Sequence, residues 1–220
     1  MSVKDNKWSV SKLHCYESCP RKFQGKYHHK IKDKPGPAAQ RGSEVHLKAE
    51  NYLGGKIRGL PPELEKLGSQ YRRLKKTKPL VEVEMAVDVN WKPVGWSKGW
   101  GRGIIDALTR IEDEMIIIDH KTGRIYDKHE EQAEVYALLV HATVEEANAF
   151  HVEFWYVDKT YTEVWDYTEK ELLELRGSYE ERVKKMLTAK KFPQTPSESA
   201  CRWCPVSSKK GGPCNGWKKV

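Results

Sequence analysis

The stretch Ile116-Ile117-Ile118-Asp119-His120-Lys121-Thr122-Gly123 runs three β-branched residues straight into an acid, a base and a glycine. Three consecutive isoleucines describe a strand buried on both faces. An aspartate and a lysine at its end do not belong in such a core unless they carry chemistry. Side chains alternate faces along a strand, so Asp119 and Lys121 share one face and His120 takes the other. Just upstream, Gly103–Ile111 is a second apolar run with Asp106 in its interior, joined to Met115–Lys121 by the acidic turn Glu112-Asp113-Glu114. If the two runs pair as a hairpin, Asp106 and Asp119 lie side by side. Two carboxylates so held raise one another's pKa unless a cation sits between them. Hard oxygen ligands of this kind suit Mg2+ or Mn2+. A cation there turns water into a usable nucleophile, and the Lys121 ammonium can orient it or neutralise a phosphate. Taken alone, the same residues also describe a strand ending at the surface in a solvated Asp–Lys pair.

Working outward, Ser11 is placed to cap a short helix through Phe23, followed by a loop at Lys30–Ala39 containing Pro35, Gly36 and Pro37. Helical spacing covers Ala38 to Leu53, closed by Gly54-Gly55, and again Pro61 to Lys75. From Leu80 to Val89 the apolar residues alternate (Val81, Val83, Met85, Val87, Val89), which is strand periodicity. A helix from Lys128 to Ala142 follows the charged strand, then strands at Ala149–Val157 and Thr162–Tyr167 and a long helix from Glu169 to Lys190. This order describes an α/β fold with a mixed sheet flanked by helices.

Several short motifs now fall in order: Gly103-Ile104-Ile105-Asp106, then Asp119-His120-Lys121-Thr122, then Gln132-Ala133-Glu134-Val135-Tyr136. Upstream of them stand "RGSEVHLKAENYL" around His46 and the opening "SVSKLHCYESCPRKF". Together they resemble the PD-(D/E)xK nuclease superfamily, specifically its RecB-like branch, over nearly the whole chain. The resemblance implies a restriction-endonuclease-like core and a single RecB-like nuclease domain over residues 1–220. It implies that His46, Asp106 and Asp119 hold the divalent cation, with the His120 carbonyl as a further ligand. Lys121 would be the catalytic lysine, and Gln132 and Tyr136, four apart on one helical face, would position it or contact substrate. Glu84 matches an acid that the family often places before the first active-site strand, with Glu82 on the same strand face as its rival. Asp119 stands where many relatives carry Glu, which the superfamily pattern permits.

The tail "CRWCPVSSKKGGPC" places Cys201, Cys204 and Cys214 together, and three thiols need a fourth ligand to close a tetrahedral site. In RecB-like nucleases with an iron–sulfur cluster, one N-terminal cysteine joins three C-terminal ones, and Cys19 matches that position, with Cys15 as its rival. The resemblance therefore implies a 4Fe–4S cluster that staples the two ends of the chain, with zinc as the rival metal. The segment Trp91–Arg102, "WKPVGWSKGWGR", interleaves tryptophans with Lys92, Lys98 and Arg102. It suits stacking on unpaired bases with lysines along phosphates, and equally suits packing over the core.

Composition sets the outer bounds. The 220 residues suffice for a real core, and 39 basic against 31 acidic residues leave a net charge of +8 that suits a polyanionic partner. No apolar run approaches membrane-spanning length and the polar start lacks a signal-peptide core, which points to a cytoplasmic protein with no membrane partner. Five cysteines in a reducing compartment are metal ligands or thiols rather than disulfides. The expected activity is a divalent-metal-dependent DNA nuclease, an exonuclease on ends or single strands. The resemblance extends to nucleases that work with phage recombination or CRISPR-adaptation proteins. Two other classes stand beside it: an idle DNA-binding subunit with this fold, and an assembly module built on cysteine-bound metal. Intact Asp106, Asp119 and Lys121 argue against the first, and the motif order against the second.

Overall fold

The computed structural model describes residues 6–125 and 128–216; the first five residues, part of the polar start considered above, lie outside them. The chain forms two compact units. One runs from Gly36 to Gly177, and the other joins the two ends of the chain, through Pro35 and from Ser178 onward.

The larger unit is built on five strands: β1 (Leu80–Val87), β2 (Gly101–Ile111), β3 (Glu114–Lys121), β4 (Ala149–Tyr156) and β5 (Tyr161–Thr168). They lie in the order β1-β2-β3-β4-β5. All neighbours are antiparallel except β3 and β4, which run parallel. The parallel pair needs a crossover, and helix α5 (His129–Thr143) supplies it. The result is a mixed α/β sheet of the restriction-endonuclease-like kind. One face is covered by α3 (Pro37–Leu53), a 3-10 turn at Pro62–Leu67 and α4 (Gly68–Lys76). Val45, Ala49, Tyr52, Leu64, Tyr71 and Leu74 pack there on Ala107, Ile118 and Trp155. The other face receives α5, whose close approach requires Gly103: a Cβ there would stand 2.7 Å from Leu139 Cδ1.

The unit of the two chain ends contains α1 (Val10–Ser18), the short α2 (Pro20–Phe23) continuing into a π turn at Gln24–His28, and α7 (Glu198–Arg202). Helix α6 (Glu169–Leu187) runs out of the sheet unit into it. Trp8 stacks on Tyr179, and Arg182 forms a two-pronged pair with Glu17 (2.8 Å each). The continuous helix expected from Ser11 is corrected in two ways. Ser9, not Ser11, caps it, accepting from the Lys12 N–H. The helix also breaks at Cys19, whose φ of −162° is extended because it precedes Pro20. The strand expected to reach Val89 stops at Val87, because the Asp88 carboxylate takes the N–H groups of Asn90 (2.8 Å) and Lys92 (2.9 Å) and turns the chain. The last long helix ends at Leu187, not Lys190.

Candidate active site

The β2–β3 hairpin pairs as far as Ala107–Ile118. Past that rung the Asp106 carboxylate, rather than a backbone carbonyl, accepts the His120 N–H (Oδ2, 2.7 Å). Its other oxygen lies 3.2 Å from His46 Nδ1 on α3. On β3, the Lys121 ammonium lies 2.6 Å from Asp119 Oδ2. Gln132, in the first turns of α5, spans acid and base. Its carbonyl accepts from Lys121 (2.9 Å), and its amide donates to Asp119 Oδ1 (3.0 Å) and to the Tyr136 hydroxyl (2.8 Å). Charge leaves this side chain one orientation, since only the oxygen can meet an ammonium and only the NH2 a carboxylate. The Phe154 ring lies under the lysine, 4.3 Å from Nζ.

His120 points the other way, into the core against Tyr71 (Nδ1 to hydroxyl, 3.1 Å) and Trp155. Burial pushes its imidazole down to about 4, so it is neutral. Its backbone carbonyl accepts from His46, and its ring lies edge-on to the His46 ring (centroids 6.0 Å). Burial opposes charge on His46, but the hydrogen bond with Asp106 and the charges of Asp106 and Asp119 raise it to about 9. Burial pushes Asp119 up to about 6 against the pull of Lys121. Asp106 stays below the usual carboxylate range in spite of burial, held there by His46 and by the His120 N–H. Asp119 Oδ2 is buried with the Lys121 ammonium as its partner. Buried carboxylate oxygens of this kind suit a hard cation.

The family profile of the PD-(D/E)XK nuclease superfamily matches residues 7–208. The chain belongs to that superfamily. Two solved structures share the nuclease fold. The first, the crystal structure of SSO0001, has a TM-score of 0.54 at 18% identity, over 97% of this chain and 88% of that one. The second, a Eubacterium rectale protein solved as "Putative exonuclease", has a TM-score of 0.57 at 15% identity, over 99% and 91%. No curated protein matches. Nucleases of this superfamily use divalent metals, and no described helix is long and apolar enough to cross a membrane.

Within the nuclease, His46, Glu82 and Asp106 bring one ligand atom each within 4.8 Å of one another. Glu84 does not join them; it is exposed on β1 opposite Ile104. The alternation that put both glutamates on one face breaks at Glu82, whose φ is +50°. Val81 packs on the α3 and α4 side, whereas Met85 meets Thr143 of α5. A strained backbone of this kind costs about 1–3 kcal/mol and persists where the surroundings impose it. Burial and the Asp106 charge raise the pKa of the Glu82 carboxyl. The sequence signal for this placement was only the pair of glutamates itself.

Cys19, Cys201, Cys204 and Cys214 line one cleft with Lys22, Gln194 and Thr195, while the buried Cys15 does not line it. Burial raises Cys19, but N–H groups of Thr195, Lys22 and Arg21 bring its thiol below the usual value. The tryptophan segment divides: Trp91 is buried against Trp100 and under Arg176, while Trp96 stays partly exposed beside Arg102 (4.9 Å). A second group, Glu114, His151 and Asp166, is closed by its own ion pairs. His151 meets Asp166 at 2.6 Å and Glu153 at 3.1 Å, and these carboxylates raise it to about 9.

Proposed function

We propose that the protein is a RecB-like, divalent-metal-dependent DNA nuclease acting as an exonuclease on ends or single strands. The observation that carries this reading is the pair of contact chains at one strand end, His46 with Asp106 and Asp119 through Lys121 to Gln132. His46, Asp106, Asp119 and the His120 carbonyl would hold the cation, with Glu82 in place of Glu84. One nitrogen among oxygen donors suits Mn2+ better than Mg2+. The cation supplies charge neutralisation at the phosphate and a more acidic water. Lys121, steadied by Gln132 and Phe154, orients the attacking water or neutralises the scissile phosphate, and Tyr136 fixes Gln132. Trp96 with Arg102 and Lys98 offers a stacking face and cations for an unpaired strand. Phage recombination or CRISPR-adaptation proteins are the partners this reading suggests.

The four clefted cysteines would hold the 4Fe–4S cluster. Zinc is the rival metal for the same four thiols. The deciding experiment is cleavage of DNA labelled at either end with Mg2+ or Mn2+ against an EDTA control. Metal-dependent shortening from an end is expected; intact DNA under every metal would sink the reading.

A further inference from the structure

Beyond the residues already placed, one half-buried network beside the lysine has no assigned role. His129 is the first residue of α5, and Lys128 before it makes no side-chain cap. Its Nδ1 is hydrogen-bonded to the Tyr156 hydroxyl, which in turn bonds Glu163 Oε2 at 2.5 Å. Its ring packs on Phe154 (5.7 Å) and Tyr156 (5.8 Å). Phe154 is the ring beneath the Lys121 ammonium, and Tyr156 is the strand partner of Lys121.

The protons in this network have one arrangement. A carboxylate only accepts, so the single phenolic hydrogen of Tyr156 goes to Glu163. The phenolic oxygen must then accept, and His129 carries the proton on Nδ1. His129 thereby ties the otherwise uncapped start of α5 to β4. One helical turn later, Gln132 divides its amide between Lys121 and Asp119.

We infer that His129 is a positioning residue: through Nδ1–H and Tyr156 it fixes the first turn of α5, and so sets where Gln132 meets Lys121 and Asp119. This rests on the nuclease reading above. Releasing the turn lets the amide drift, and a displacement of about 1 Å at such a group costs about 100-fold in rate. The loss falls on kcat, because what moves is the Gln132 amide that holds Lys121 and Asp119.

The test uses the full chain and exploits two amides that mimic different imidazole nitrogens. Asn places its NH2 near the position of Nδ1, and Gln places its own near Nε2. His129→Ala, His129→Gln and Tyr156→Phe should lower kcat about 10- to 100-fold, with KM and DNA affinity unchanged. His129→Asn should restore most of the rate. An Asn variant as slow as Ala would overturn the inference. So would loss of one limb of the pH–rate profile in His129→Asn, which would make His129 a proton-transfer group working from Nε2. A second readout needs no activity: the Gln132 side-chain amide NMR signals should move in His129→Ala and return in His129→Asn. If the wild type cleaves nothing, the nuclease reading fails, while unmoved Gln132 signals would sink the positioning role separately.

Discussion

The sheet site and the cysteine cleft are both assembled from residues far apart in the chain, yet they are held in opposite ways. In the sheet unit Asp119, Lys121 and Gln132 already bond one another, Asp106 holds the His120 N–H and His46, and each stands on a strand or helix packed into the core. In the unit of the chain ends, Cys19 lies in a helix break and Cys214 in the loop beyond α7. The tail there is held mainly by turns such as Cys214 N–H to the Val206 carbonyl (2.9 Å). On the function proposed above, the first site is a preformed one that a cation would complete and the second a set of thiols that a metal would gather, so loss of metal should cost the first its activity and the second its structure.

The largest effect should come from the preformed site. Asp119→Ala and Lys121→Ala are each expected to lower cleavage by about a thousandfold or more, since they remove charge aimed at the reacting phosphate. Melting temperature and DNA affinity should hold. A large loss of stability in both would break the comparison, because it would make the pair a core ion pair first.

Next is the cleft. Replacing Cys19, Cys201, Cys204 or Cys214 with Ser should bleach iron-loaded, anaerobically purified protein and destabilise the terminal unit by on the order of 3 kcal/mol, because the cluster closes a very long loop. Cys15→Ser should keep the colour. Metal analysis with thermal melts reads both outcomes, and stoichiometric zinc in colourless protein would replace iron in the comparison.

A smaller effect sharpens the sheet site itself. Glu82→Gln should reduce the affinity for Mn2+ and the cleavage rate about tenfold, as for an altered ligand or its close partner. Glu84→Gln should stay within about twofold, as an exposed substitution does. Equal losses in the two would mean that the strand does not distinguish them.

The smallest concerns the self-closed group at His151. Its folded pKa of about 9 lies above the ordinary 6.5, so its stabilisation is complete below about pH 6.5 and is lost as pH rises through 9. Solvent screens Asp166, which limits the effect to about 1 kcal/mol. His151→Gln should flatten that part of the stability–pH curve in denaturant melts. A curve of unchanged shape would remove the ion pairs from the account.

The legibility of these regions differed for physical reasons. Strand parity put Asp119 and Lys121 on one face and His120 on the other, and helical spacing put Gln132 above Tyr136. Both are local regularities that survive into the folded chain. Glu82 and Glu84 looked equivalent because parity assumes an unbroken strand, and a positive φ at Glu82 ended that equivalence. The break at Cys19 was hidden for a similar reason: a proline one residue on outweighed helical spacing. His129 gave no signal at all, since its partners Tyr156 and Glu163 are fixed only by the pairing of β4 with β5.

By itself, then, the chain's pattern of apolar periods, charged strand end and ordered motifs determined the fold class and the family, because those depend on what each residue does among its near neighbours in sequence. The tertiary structure alone decided that Glu82 rather than Glu84 approaches His46 and Asp106, that four of five cysteines share a cleft, and that His129 bonds Tyr156 one turn before Gln132. Each of these depends on strand twist, a strained backbone angle or a contact across strands, where the forces act through space and leave no period to read.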